Sequence, residues 1–134
     1  MAYNYLKIIS KKINSFNGGL LIIDYGYIEK TMKNSLQSVQ KHKYVYIFTM
    51  PHHSDITSHL NFRLFREVLN KNNLDVKKIV KQSEFLKKVG ILERANILSK
   101  KMTFKEKANM FYRLKRLLDS KEMGDLFKVI FAQK

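Results

Sequence analysis

Two short stretches of the sequence carry side chains that could do chemistry. In the first, Asp24 and Tyr25 directly follow an apolar run, Leu20 to Ile23. A carboxylate at the end of a buried strand could hold a guanidinium through paired hydrogen bonds, and the tyrosine could wall a substrate slot. The competing interpretations are structural, because Asp24 could cap the turn after the strand and Tyr25 and Tyr27 could pack in the core.

The second stretch places Asp55, Thr57 and His59 at alternate positions of the chain. Histidine titrates near neutral pH, so His59 could orient a substrate or act as a general base. Two structural alternatives stay open here as well. Asp55 could cap a helix that starts near Ser58, and His59 could be a hydrogen-bonded histidine one turn into that helix.

A metal site is the other chemistry that this stretch suggests. Three imidazoles and one carboxylate lie within eight residues, namely His52, His53, Asp55 and His59. Their spacing matches no established zinc pattern. We therefore predict that the chain holds no metal.

The elements that must position these residues begin with a buried strand. The four consecutive apolar residues Leu20 to Ile23 predict a strand that is covered on both faces, as in a parallel sheet. An amphipathic helix is predicted before it, over Ala2 to Phe16, with Tyr5, Ile8, Ile9 and Ile13 as its apolar residues. Asn17-Gly18-Gly19 would end that helix and turn the chain into the strand.

An irregular segment is expected over Tyr25 to Gln40, and further strands and helices are predicted after it. Apolar and turn residues predict strands over Tyr44 to Phe48, closed by Met50-Pro51, over Leu74 to Val80 and, after a break at Gly124, over Leu126 to Phe131. Helices are predicted over Ser58 to Asn70, from a cap at Ser83 to Gly90, over Ile91 to Leu98, and after a capping box formed by Thr103 and Glu106. The order predicts an α/β fold in one domain, residues 1–134.

Composition excludes several classes of protein. The 134 residues are 45% hydrophobic, so a real core is available, and no apolar run reaches the roughly 20 residues of a membrane span. The chain has no cysteine, which excludes disulfides and thiolate catalysis and is compatible with the cytoplasmic location that we predict. The net charge of +15 suggests an anionic partner. The lysines that carry it are scattered along the chain and do not form one basic segment.

Five motifs in order give the sequence a family resemblance. They are GGLLIIDYGY (Gly18 to Tyr27), SLQSVQKHKYV (Ser35 to Val45), P-x-x-x-DIT-x-H (Pro51 to His59), Q-x-x-FL-x-x-x-GI-x-x-R (Gln82 to Arg94), and RL followed by MG-x-LFKV (Met123 to Val129). The set resembles the MidA family of class I S-adenosylmethionine-dependent methyltransferases. Mitochondrial members of that family are protein arginine methyltransferases needed for respiratory complex I assembly.

The resemblance implies a place in the fold and roles for the candidate residues. It makes Gly18 to Tyr25 the fifth strand of a Rossmann-like sheet, Leu74 to Val80 the sixth and Leu126 to Phe131 the antiparallel seventh. It also implies S-adenosylmethionine as the cofactor and a protein substrate of the respiratory complex I type. On this basis we predict catalytic roles for Asp24 and His59, and substrate contacts for Tyr25, Asp55, Thr57 and Asn61.

The family's cofactor loop has no counterpart in these residues. No G-x-G pattern occurs in the sequence, and by resemblance the loop would lie before Met1. The chain also has Pro51-His52 where the family has Pro-Gly, Asn61-Phe62 where it has Asp-Phe, and Lys81-Gln82-Ser83 where it has Thr-Gln-Gly. We therefore expect the carboxyl-terminal part of a methyltransferase, which does not bind the cofactor or act alone and needs a separately encoded N-terminal half.

Two other interpretations of the sequence stay open at this point. The positive charge would suit a nucleic-acid-binding module, whose affinity would fall steeply with salt and which needs a contiguous basic face. The resemblance argues against that partner. The departures from the family pattern would also suit a decayed reading frame without a function.

Overall fold

Helices and strands are interspersed along the chain, but the segment expected to be irregular, Tyr25 to Gln40, has strand residues at both of its ends. The computed structural model describes residues 2–31, 34–49 and 52–134. In chain order its elements are α1 (Ala2–Phe16), β1 (Gly19–Tyr27), β2 (Gln37–Gln40), β3 (Lys43–Val45), β4 (Asp55–Thr57), β5 (Leu60–Asn61), α2 (Phe62–Lys71), β6 (Asp75–Val76), β7 (Val80–Lys81), α3 (Gln82–Lys88), α4 (Ile91–Ser99), α5 (Phe104–Leu118), α6 (Met123–Leu126) and β8 (Phe127–Gln133). The α/β fold class is confirmed.

The larger of two sheets has the strand order β5-β1-β8-β6, with β7 also paired to β8. β8 runs antiparallel to β1 over seven residue pairs, from Gly19 opposite Gln133 to Tyr25 opposite Phe127. β5 is parallel to β1 and pairs only with its end, where Gly26 lies opposite Leu60. The predicted antiparallel last strand is therefore confirmed, although it begins and ends later than expected. The smaller sheet has the order β3-β2-β4.

The core lies between the larger sheet and the two helices α1 and α2. α2 packs against β1, β6 and β8, and α1 packs against α2. The buried side chains of this cluster come from distant parts of the sequence: Leu6, Ile13, Phe62, Val68, Leu69, Leu74, Ile79, Ile130 and Ala132. Leu20 and Ile22 of β1 pack against it.

The expectation that β1 is covered on both faces is wrong. Leu20 and Ile22 face the core, whereas Leu21 and Ile23 stay exposed on the other face. Successive side chains of a strand point to opposite faces, so one helix layer can cover only alternate residues. Four apolar residues in a row therefore did not indicate two covered faces within this chain.

The predicted apolar face of α1 is also largely wrong, although the helix has the predicted bounds. Leu6, Ser10 and Ile13 turn toward the core, and Tyr5, Ile8 and Ile9 are exposed. The buried set has helical spacing too, and the hydroxyl of Ser10 donates to the carbonyl oxygen of Leu6 over 2.7 Å. That bond satisfies the serine, so a polar residue can occupy the buried face.

Several other boundaries differ from the predictions. The strand expected over Tyr44 to Phe48 is β3, which ends at Val45, and the Met50-Pro51 closure lies outside the described residues. The strand expected over Leu74 to Val80 is divided into β6 and β7, because only parts of it pair with β8. Before α3 the cap position is held by Lys81 without a side-chain bond, so the predicted Ser83 cap is wrong.

The helices that follow agree with the sequence more closely. Gly90 has φ of 85° between α3 and α4, a left-handed conformation that favours glycine. Both bonds of the capping box between Thr103 and Glu106 are present at the start of α5. None of the described helices has the length and apolar character needed to cross a bilayer.

Candidate functional site

The carboxyl-terminal end of β1 meets β5, and this junction brings predicted site residues together. A Cβ atom on Gly26 would lie 2.3 Å from the carbonyl oxygen of Leu60 and 2.7 Å from the ring of Phe62. No side chain fits in that space, so the two strands can pair at this distance only because residue 26 is glycine. The close pairing places the segment before Leu60, which contains His59, beside the end of β1.

Three rings meet at this junction, and we call Tyr25, His59 and Phe127 the aromatic cluster. The ring centroid of Tyr25 lies 5.8 Å from that of His59 and 5.5 Å from that of Phe127. Both pairs are edge-to-face, with interplanar angles of 63° and 88°, an arrangement that aromatic rings favour. Tyr25 and His59, which come from the two separate stretches singled out in the sequence, thus lie side by side in the structure.

The segment that carries His59 is held by a polar contact. The backbone N–H of His59 donates to the hydroxyl oxygen of Ser35 over 2.9 Å. Ser35 lies just before β2, so this bond ties the segment between β4 and β5 to the smaller sheet. His59 lies between β4 and β5, outside any helix, so the expectation that it lies one turn into a helix is wrong.

Phe127 is a cluster residue to which sequence reasoning assigned no functional role. It lies directly opposite Tyr25 in the register between β1 and β8. The sequence offered two signals for it: its place in the LFKV motif and its place at the start of the last strand. Neither signal reveals a ring contact, because that contact depends on how two distant strands align.

Asp24 lies inside β1 and not beyond its end. Its Oδ1 accepts the backbone N–H of Tyr25 over 2.8 Å. The register with β8 is continuous through Asp24 and Tyr25, so their side chains point to opposite faces of the sheet. The structure therefore does not place Asp24 on the face that carries the aromatic cluster, and the strand does not stop where the sequence suggested.

The other predicted substrate residues are divided between two elements. Asp55 and Thr57 lie on β4, opposite Val39 and Gln37 of β2, with Asp55 exposed and Thr57 half-buried. Asn61 is the N-cap of α2, and its side-chain oxygen accepts the backbone N–H of Leu64 over 3.1 Å. The helix cap predicted at Asp55 is therefore provided by Asn61, because α2 begins at Phe62.

A metal centre receives no support from the described residues. Within residues 2–31, 34–49 and 52–134, no three histidine, aspartate or glutamate side chains come together as metal ligands would. Pro51, the first residue of one family motif, lies outside these ranges.

Two cavities lie away from the aromatic cluster. A groove of about 470 Å³ separates α4 from α5, and a cavity of about 370 Å³ lies between α3 and β8. No predicted site residue lines either of them. The candidate site at the end of β1 thus lies in neither of these two cavities.

Comparison with known proteins gives one family match. A model of the family described as "Putative S-adenosyl-L-methionine-dependent methyltransferase" matches residues 1–80. Among curated proteins, the chain is 27% identical over 122 residues to the mitochondrial protein arginine methyltransferase NDUFAF7 of Xenopus tropicalis. It is 28% identical over 124 residues to the same-named protein of Xenopus laevis.

Two solved structures from Burkholderia thailandensis share the fold. One is an uncharacterized protein of the COG1565 superfamily, with a TM-score of 0.84 and 25% identity over 99% of this chain. The other, of the same superfamily and bound to S-adenosyl-homocysteine, has a TM-score of 0.82 and 25% identity.

The chain matches only part of each of these proteins. The matches to the two Xenopus proteins cover 90% of this chain but only 28% and 27% of those proteins. The chain covers 37% and 35% of the two Burkholderia chains. This chain thus spans a little over a quarter of its curated relatives.

Proposed function

The chain belongs to the S-adenosyl-L-methionine-dependent methyltransferase family, and on that premise we propose that it supplies the acceptor-binding side of a protein arginine methyltransferase. The observation that carries the proposal is the aromatic cluster, in which Tyr25 of β1 meets His59 and Phe127 at the carboxyl end of a central strand. Ligands of open α/β sheets bind at such strand ends.

The residues of this chain do not fit a complete cofactor site. A cofactor loop needs glycines that allow the backbone to approach the ligand closely. Of the five glycines, only Gly90 has a positive φ, and it joins α3 to α4. Gly26 is committed to the contact between β1 and β5. We propose that the cofactor site is completed by a separately encoded N-terminal half, and that the chain alone neither binds S-adenosylmethionine nor catalyses methylation.

The acceptor side has the chemistry that an arginine side chain would need. A planar guanidinium stacks on aromatic faces, and the aromatic cluster offers such a surface. Asp24 is half-buried inside β1 with its side chain on the face opposite the cluster, so in this proposal its carboxylate does not touch the acceptor and contributes only its negative charge. In this proposal His59 orients the guanidinium, Tyr25 forms one wall, and Asp55 and Thr57 contact the peptide that carries the arginine.

Calorimetry tests the incomplete cofactor site. The isolated chain is titrated with S-adenosylmethionine, and we expect no measurable heat of binding. Micromolar binding by this chain alone would contradict the proposal that it lacks the cofactor side.

Methylation kinetics test the acceptor side in a complex with the N-terminal half. We expect His59→Ala to raise the KM for an arginine peptide by about tenfold while the cofactor affinity stays unchanged. The matched control is Tyr112→Ala, which removes an aromatic ring that is exposed on α5. Equal effects of the two substitutions on KM would show that His59 does not contact the acceptor.

A second candidate function follows from the hairpin of β2 and β3. Tyr44 is highly exposed on the hairpin, and Tyr46 and Phe48 are highly exposed in the turn that follows β3. The hairpin also carries Lys41 and Lys43. Exposed rings next to positive charges suit stacking on single-stranded nucleic acid. Filter binding to a single-stranded oligonucleotide distinguishes this function, since Tyr44→Ala would then weaken binding and added salt would weaken it further.

The substrate and the location stay predictions. A subunit of the respiratory complex I type is the substrate that the resemblance implies. The Xenopus relatives are named as mitochondrial proteins, whereas a cytoplasmic location is what we predicted from the sequence of this chain.

A further inference from the structure

The strand at the centre of the candidate site has one open edge. Residues Gly19 to Tyr25 of β1 pair with β8 on one side. On the other side β5 pairs only with Gly26 and Tyr27, and no other strand in the described part of the chain lies there. Such an edge presents unpaired backbone groups that can accept another strand.

Exposed apolar side chains lie on β1 itself and on α1 of the same core layer. Leu21 is 47% exposed and Ile23 is 41% exposed on one face of β1. The other face packs against the core cluster, which includes Leu6 and Ile13 of α1. Tyr5, Ile8 and Ile9 of that helix are exposed. An inner strand of a parallel sheet has both faces covered, so the apolar run of β1 suits a strand with more neighbours than this chain provides.

We infer that the open edge of β1, together with Leu21, Ile23 and the exposed residues of α1, is the surface on which the separately encoded cofactor-binding half docks by adding a strand. This inference rests on the proposed function. Its occupant is a strand that lies end to end with β5 along the edge of β1, covered by apolar side chains. β5 is parallel to β1 on that edge, and the proposal gives the added strand the same direction.

Two observations favour this occupant over a second copy of the chain. The Burkholderia structures match 99% of this chain but have nearly two thirds of their own length outside the match, so further polypeptide belongs to the same fold. The net charge of +15 makes two copies repel each other and favours an acidic partner surface.

The test needs the proposed cofactor-binding half, which is to be sought as the product of a neighbouring reading frame that encodes a strand followed by a glycine-rich loop. Hydrogen exchange of the full chain is compared with and without that protein. We expect the β1 amides that face the open edge to gain protection in the complex, while exchange in α5 stays unchanged. Added salt should weaken the complex, since opposite charges attract across the interface.

Substitutions then test the surface itself. Ile23→Lys and Ile8→Lys place a charge where apolar burial is expected, and each should raise the Kd of the complex by at least about tenfold. Ile97→Lys is the matched control, because Ile97 is an isoleucine of α4 that is also exposed. All three variants should keep the thermal midpoint of the free chain, since the replaced side chains are exposed.

The outcomes separate this inference from the proposed function. A complex that methylates arginine peptides but binds Ile23→Lys as tightly as the unchanged chain overturns the docking surface and leaves the function. Protection of β1 in a complex that does not methylate arginine peptides overturns the proposed function and leaves the docking surface. Dimers of this chain that Ile23→Lys dissolves would identify a second copy as the occupant and overturn the inference, and a genome without such a reading frame overturns both.

Discussion

The sheet region and the α4–α5 helix pair are built by opposite means. The sheet region comprises α1, β1, α2 and β8. Its fully buried side chains Phe62 and Leu69 of α2 pack in one cluster with Ile130 of β8, which is distant in the sequence. α5 has no buried residue, and its start is secured by a capping box between residues three positions apart. One region therefore depends on long-range packing and the other on local bonds.

The difference shows where the stability of the chain is concentrated. Residues that pack in a shared core open only when the whole domain unfolds, whereas a helix with few buried contacts can open by itself. The groove of about 470 Å³ between α4 and α5 leaves apolar side chains without close packing. We expect α5 to exchange its amide hydrogens sooner than β8, and the following substitutions test this contrast.

The largest expected effect is at Phe62, which is 0% exposed in the sheet region. Phe62→Ala should lower the free energy of unfolding by about 3–5 kcal/mol, because it removes a large buried ring and leaves a cavity. Phe111→Ala is the control in α5, where the ring is 47% exposed, and it should cost less than about 1 kcal/mol. Urea unfolding of both variants measures the difference, and similar costs would contradict the contrast.

The next effect is at Gly26. Gly26→Ala should destabilise the chain by about 1–3 kcal/mol or more, because the new methyl group overlaps the carbonyl oxygen of Leu60. Gly18→Ala is the control, since a Cβ there meets no atom closer than 3.9 Å. Thermal unfolding compares the two variants. In addition, Gly26→Ala should weaken the NMR cross-peaks between the ring protons of His59 and those of Tyr25. Unchanged cross-peaks would show that the ring contact does not require the glycine.

A smaller effect is expected at the helix caps, one in each region. Thr103→Ala and Asn61→Ala each remove a side chain that accepts a backbone N–H, at a cost of about 1 kcal/mol. Hydrogen exchange distinguishes the regions: the loss at Thr103 should speed exchange within α5 alone, and the loss at Asn61 should speed exchange throughout the core. Global acceleration by Thr103→Ala would show that α5 opens together with the sheet.

The smallest effect is a pH dependence that belongs to α5. Hydrogen bonds from the backbone N–H and the hydroxyl of Thr103 lower the pKa of Glu106 below its ordinary value of 4.5. A lowered pKa in the folded state means that this carboxylate stabilises α5 at pH values above 4.5 and loses that effect as the pH falls through the lowered pKa. Protection of the α5 amides should therefore decline with acid in the unchanged chain. It should decline less in Glu106→Gln, and identical profiles would contradict the assignment.

Sequence reasoning was most accurate where neighbours along the chain determine the structure. Thr103 and Glu106 predicted the start of α5, and the bounds of α1 agree with the prediction. It was least accurate about faces, because Tyr5, Ile8 and Ile9 have the same helical spacing as a buried stripe. Periodicity indicates that a stripe exists, but the partner that covers it is decided elsewhere in the chain.

The candidate site shows the same division. Tyr25 and His59 were chosen from the sequence, and their rings are in contact in the structure. No sequence pattern predicted that the ring of Phe127 on β8 would contact Tyr25 on β1. Asp24 was placed at the end of a strand that in fact continues to Tyr27. The end of a strand depends on its pairing partners. The last residues of β1 pair with β5, and they can do so only because residue 26 is glycine.

The sequence by itself determined the α/β class, the family, the order of the elements and the lack of a glycine-rich cofactor loop in these residues, because motifs, turn residues and caps act over a few neighbouring positions. Only the tertiary structure decided which faces are buried, that Asn61 rather than Asp55 caps α2, and that Asp24 and Tyr25 point to opposite faces of the sheet. Those outcomes depend on strand register and on contacts between residues far apart in the chain, and such contacts form only when the chain folds.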